Sequence, residues 1–285
     1  MDIARSATSH ASTYALGHSD PEVQRLMLQA RLYEAHTEQA LRLAGLRPGM
    51  RVLDVGCGPG DVSFLAARLV GPAGSVLGVD AAADIVDRAK SRAAAQDVSN
   101  VSFKNSTITD FVADEPVDAV IGRLILMHLP DPVAALRHFA TQVRPGGVVA
   151  FCENDISAVR SYPDIPLFHA TTTAITSAFE HLGLNPRFGT TLNALFQRAG
   201  LGVPQMTLSA PIGGATDTDL LAYAADVWRL VLPVVEQLGL GIDELTDADT
   251  FLPLLEQLVA AEQATVMMPP LITAWAVRAH RSGDT

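Results

Sequence analysis

Val52-Leu53-Asp54-Val55-Gly56-Cys57-Gly58-Pro59-Gly60-Asp61, read together with Asp80, decides the fold. An apolar run, Arg51 to Val55, stops at glycines on alternate positions. A helical spacing follows at Val62, Leu65, Ala66 and Leu69, and then a second apolar run, Ser75 to Val79, which ends in Asp80. Strand, tight glycine turn, helix, strand and carboxylate in that order open a nucleotide-binding βαβ unit. Glycine lets the backbone turn sharply and approach a ligand without a Cβ in the way. A carboxylate at the tip of the second strand can accept hydrogen bonds from both hydroxyls of a ribose, so the ligand is expected to carry one, as adenosine does.

The spacing separates the nucleotides. A dinucleotide turn needs glycines at i, i+2 and i+5, so that a helix N-terminus can cradle a pyrophosphate. From Gly56 the third falls at Asp61, an anion. Gly56, Gly58 and Gly60 make a GxGxG turn instead, with acids on both sides at Asp54 and Asp61. An acidic loop suits a ligand without phosphate and with positive charge.

This run closely resembles motif I of the class I S-adenosylmethionine-dependent methyltransferases, whose ligand bears a sulfonium and an α-amino group. The resemblance covers residues 45–152, with weaker echoes at 188–210 and 264–278. Gly122-Arg123-Leu124-Ile125-Leu126-Met127-His128-Leu129-Pro130-Asp131-Pro132 resembles the segment after strand four in small-molecule members, including quinone-pathway C-methyltransferases and natural-product enzymes. Arg144-Pro145-Gly146-Gly147 resembles the turn before strand five. At strand three the family commonly has an acid for the adenine amino group; here Ser106-Thr107 stands in its place.

The resemblance implies an α/β fold: a doubly wound, seven-stranded, mostly parallel sheet with an antiparallel last strand and helical lid insertions. The chain divides into an N-terminal arm and capping helices (1–44), a Rossmann-like core (45–153), a helical insertion (154–188), a core helix with strand six (189–210), a helical lid (211–263) and strand seven (264–285). Within 211–261 the pattern looks helical but broken at Gly213-Gly214, Pro233, Gly239 and Pro253. The expected cofactor is S-adenosyl-L-methionine, held by Asp54, Gly56, Gly58, Gly60, Asp80, Ala81, Thr107, Ile108 and Arg123. Arg123 is placed for the cofactor carboxylate or the substrate, with a surface salt bridge as its plainer role. His128 and Tyr14 are the candidate catalytic residues, each weighed against simple packing; Tyr14 lies in an arm that closes over the cofactor in similar enzymes. Glu153, Asn154 and Asp155 leave strand five at the ligand edge. Catechol-type enzymes need an acid after strand four, where this chain has Gly122-Arg123, so no metal is expected.

Bulk properties agree with a soluble enzyme. Net charge is −11 over 285 residues, without the clustered Lys and Arg that phosphate backbones need, so nucleic acid is not an expected partner. No apolar stretch is long enough to span a bilayer, and no signal-like core opens the chain. Two cysteines give no disulfide framework, and a cytoplasmic setting is the default. Homodimerisation stays open. The apolar run Leu220 to Val235 points to a mostly apolar, aromatic or polycyclic small molecule, methylated by in-line displacement. C-methylation of an indole-like ring is one outcome that analogy allows. The alternatives are an enzyme of this fold that keeps the cofactor without methylating, and a nicotinamide-dependent oxidoreductase.

Overall fold

The computed structural model describes residues 20–245 and 247–279. In chain order the elements are α1 (Asp20–Leu43), β1 (Arg51–Val55), α2 (Asp61–Val70), β2 (Ser75–Asp80), α3 (Ala83–Ala95), β3 (Val101–Asn105), β4 (Val117–Arg123), α4 (Pro132–Gln142) and β5 (Val143–Asn154). There follow β6 (Arg160–Tyr162), α5 (Pro166–His181), α6 (Leu192–Arg198), β7 (Gln205–Ser209), β8 (Ile212–Gly213), α7 (Thr218–Gln237), α8 (Phe251–Ala261), β9 (Thr265–Met267) and β10 (Leu271–Val277). Local chemistry sets several of the boundaries. Asp131 caps α4 by accepting from the Ala134 amide, with Pro132 in the first turn, where a missing N–H costs nothing.

Seven strands form one sheet in the order β3-β2-β1-β4-β5-β10-β7. The first five are parallel, and β10 runs antiparallel to both β5 and β7. The expected architecture is therefore present. Strand β1 lies at its middle, buried from Val52 to Val55. Alternation sends Val52 to the face covered by α1 and α2, and Leu53 and Val55 to the face covered by α4 and α6. A separate apolar cluster gathers α5, α7 and α8 around Trp228 and Phe251. Leu28 and Tyr33 of α1 join it, so α1 links the lid to the sheet.

Three expectations need correction. The insertions are not purely helical: β6, β9 and β8 form a small antiparallel sheet from three separate stretches of chain. Strands of two or three residues are too short to leave an alternating pattern. The 144–147 turn is not a connection before strand five but a bulge within it, since Val117 pairs with Val143 and Ala119 with Val148. Backbone bonds between Gly146, Gly147 and Arg278 pin that bulge. Finally, α7 runs unbroken through Pro233. Pro233 is exposed, so water can serve the carbonyl it leaves unpaired, and burial of Leu221, Trp228, Val231 and Val235 outweighs the local cost.

The lid depends on Trp228, which is fully buried. Trp228→Ala should cost about 3–5 kcal/mol of stability, read as a lower urea midpoint with an unchanged slope. A loss below about 1 kcal/mol would contradict this account of the lid core.

Candidate active site

The carboxyl ends of β1 to β5 share one edge of the sheet, where open parallel sheets bind their ligands. After β1 the amides of Gly56 and Cys57 both donate to the Val79 carbonyl, at 2.8 and 3.1 Å, and the Gly60 amide donates to the Cys57 carbonyl at 3.0 Å. Gly56, Gly58 and Gly60 have φ of 68°, 53° and 93°, in the left-handed region that favours glycine. Their surroundings differ. A Cβ on Gly56 would lie 2.4 Å from Ile125 Cγ1, and one on Gly60 would lie 2.8 Å from Phe103 Cζ. A Cβ on Gly58 would meet nothing within 4 Å. Gly56 and Gly60 thus answer to the protein's own packing, and Gly58 leaves the backbone open to a ligand.

Asp80 ties this loop to β2. Its Oδ2 accepts from the Gly58 amide at 2.9 Å and its Oδ1 from the Ala82 amide at 3.0 Å. Each carboxylate oxygen has two lone pairs, so one on each is left for a vicinal diol. That arrangement fits a ribose. Asn105 supports it from β3, donating to the carbonyls of Asp80 and Ala81 at 3.1 and 2.9 Å. Ala81 itself is exposed.

The other acids behave differently from the sequence expectation. Asp61 is bonded to Arg92 of α3 at 2.7 Å, and the same guanidinium bonds the Pro59 carbonyl and lies 5.2 Å from the Phe64 ring centre. Its charge is matched within the protein by Arg92, so Asp61 does not present a free anion to a ligand at the turn. Asp54 is buried and accepts from Ser63 Oγ at 2.6 Å. Burial pushes its carboxyl up to about 7, against the Ser63 bond and the nearby Arg123 charge. It lies buried beneath the loop, whereas Asp80, at the end of β2, is half-buried. Arg92, Ser63 and Asn105 escape a sequence reading because helical or strand-end polar residues carry no mark of their partners.

Arg123, half-buried at the end of β4, donates to Thr37 Oγ1 at 3.1 Å, and Thr37 in turn donates to the Tyr33 carbonyl at 2.7 Å. No carboxylate ion-pairs with it among the described residues, which removes the surface salt-bridge reading. Thr107 is exposed, whereas Ile108 is buried in the core cluster behind the edge. Packing accounts for Ile108 without a ligand. His128 ends a short helical turn, Leu126–His128, and is half-buried. Burial and the Arg25 charge lower its imidazole to about 4. Tyr14 lies outside the described residues. Asp155 bonds Ser157 in a local turn, and His169 and His181 are exposed.

Residues 46–193 match the family described as a methyltransferase domain. The chain is 37% identical to an arsenite methyltransferase of Halobacterium salinarum over 122 residues, 42% of this chain and 31% of that protein. It is 34% identical to the aklanonic acid methyltransferase DauC of Streptomyces sp. (strain C5) over 120 residues, 41% of this chain and 54% of that one. The chain thus spans about a third to a half of these curated relatives. The solved YcgJ protein of Bacillus subtilis shares the fold, with a TM-score of 0.56 at 15% identity, over 86% of this chain and 99% of that one.

His128 supplies the check on this geometry. Its ring should titrate near pH 4 in the folded protein, followed by NMR with His128→Asn as the assignment control. Its folded value lies below the unfolded one of about 6.5, so the unfolded chain takes the proton first as pH falls. Stability attributable to His128 should therefore be present above about pH 6.5 and be lost on acidification toward about 4. A titration near 6.5 would place the ring in water.

Proposed function

Because the chain belongs to the methyltransferase domain family, with S-adenosylmethionine as its cofactor, we propose that it transfers a methyl group to a small, mostly apolar, electron-rich ring of the natural-product kind. The observation that carries the reading is the edge built by Asp80 and Gly58: one lone pair left on each carboxylate oxygen beside open backbone. Asp80 would hold the ribose hydroxyls, the glycine loop would lie along the cofactor, and Arg123 would meet its carboxylate. Ala81 and Thr107, both exposed beside Asp80 and β3, would border the adenine. When bound, the cofactor supplies an electrophilic methyl on a sulfonium, which leaves the protein to orient the acceptor and exclude water.

The acceptor class follows from the bases this chain offers. With its conjugate acid near 4, His128 stays neutral at physiological pH but is a weak general base. Tyr33 is held above its ordinary value by burial and donates its proton to the Pro269 carbonyl at 2.8 Å. These two residues are poor bases, which suits an acceptor already nucleophilic or ionised at neutral pH, such as an electron-rich aromatic carbon, an acidic enol or an acidic phenol. An indole-like carbon acceptor is one member of the class. Arsenite fits poorly. It is thiophilic, and the two cysteines, Cys57 and Cys152, are buried with thiols pushed up by burial, Cys152 to about 11.

Incubation with S-adenosylmethionine and a panel of indoles, phenols and enolisable polycyclic ketones should release S-adenosylhomocysteine with at least one ring acceptor. Gly58→Val should fold by circular dichroism, bind no cofactor and release none. Turnover with arsenite alone would contradict the acceptor class. A ring substrate consumed without S-adenosylhomocysteine would favour an enzyme that keeps the cofactor without methylating.

A further inference from the structure

Glu153 closes β5 with no exposure to solvent. Its Oε1 accepts from the backbone amides of Ile125 and Leu126, at 3.0 and 2.7 Å, the Met127 amide also turns toward the carboxyl, and Oε2 is buried with no hydrogen-bond partner among the described residues. A half-satisfied buried carboxyl is an expensive way to fill space, since an apolar side chain of like size would pack there without the desolvation cost. What it holds is unusual backbone. Leu124 has a φ of 55°, left-handed for a branched residue, a conformation that persists only where the surroundings over-determine it. The Leu124 amide is fixed to the Cys152 carbonyl at 2.8 Å, and the two Glu153 bonds secure the next two residues.

The side chain carried by this turn reaches the cofactor loop. Ile125 occupies the volume that a Cβ on Gly56 would need, 2.4 Å from Cγ1, and on Gly122, 2.9 Å from Cγ2. The turn ends at His128. One residue, Ile125, is therefore held by Glu153 through its amide and seated on the first loop glycine through its side chain.

We propose that Glu153 is a positioning residue: by bonding the Ile125 and Leu126 amides it presses Ile125 against Gly56 and so pre-sets the cofactor loop for S-adenosylmethionine. This rests on the reading that the edge beside Asp80 binds that cofactor. Burial pushes the Glu153 carboxyl up to about 8, toward the neutral acid, and in either form Oε1 is the acceptor for both amides. Glutamine reproduces that acceptor in the same shape. Leucine keeps the volume and removes it.

Calorimetric titration with S-adenosylmethionine of the wild type, Glu153→Gln, Glu153→Leu and Asp80→Asn provides the test. The glutamine variant should bind within about threefold of the wild type, and the leucine variant at least about tenfold more weakly while folded by circular dichroism, a difference of about 1.4 kcal/mol. A folded leucine variant that binds like the wild type overturns the proposal, as does a glutamine variant as weak as leucine. If the wild type itself does not bind, the cofactor reading has failed instead; if only Asp80→Asn loses binding, that reading stands and the role of Glu153 falls. Should the leucine variant not fold, amide exchange in the cofactor-free wild type decides. Ile125 and Leu126 should be protected before cofactor is added, and exchange at open-loop rates overturns the proposal.

Discussion

The hydrogen bond from the Gly58 amide to the Asp80 carboxylate is the contact on which the site depends. It joins the turn after β1 to the end of β2, and so brings the backbone left bare by glycine beside the Asp80 carboxylate. The rest of the loop is arranged around it: Val79 gathers two amides from one side, Arg92 bonds Pro59 and Asp61 from another, and Asn105 supports the Asp80 turn from β3. Charge-assisted bonds of this kind are among the stronger ones in proteins. Here they shape a cradle more than they add stability.

What was legible in the sequence was what repeats locally. Alternating and helical periods gave the sheet and the helices beside it, and the glycine spacing gave the turn between β1 and α2. The misses are non-local. No pattern in Arg160–Tyr162, Ile212–Gly213 and Thr265–Met267 announces that they pair with one another. Pro233 reads as a break until tertiary burial of its helix is known. Asp61 reads as a free acid until Arg92, on another helix, is found bonded to it. Asp54 and Asp80 both flank the glycine turn in the fold, Asp54 buried on Ser63 and Asp80 bonding the Gly58 and Ala82 amides, and neither set of partners is written in the sequence.

The chemistry of the site is set by desolvation more than by charge. The Glu153 carboxyl, the His128 imidazole and the Tyr33 phenol are all shifted toward their neutral forms by burial. Arg123, a cation at the same edge, donates to the Thr37 hydroxyl and has no carboxylate partner among the described residues. The same family core can serve other acceptors by changing the lid, and in this chain the lid is apolar.

The central claim is that the Asp80 edge is the nucleoside site. The most direct measurement is a crystal structure of the protein with S-adenosylhomocysteine. The account predicts both ribose hydroxyls within hydrogen-bond distance of the Asp80 carboxylate, with the nucleoside lying over Gly58. A nucleoside bound elsewhere, or one at this edge whose ribose does not touch Asp80, would contradict it.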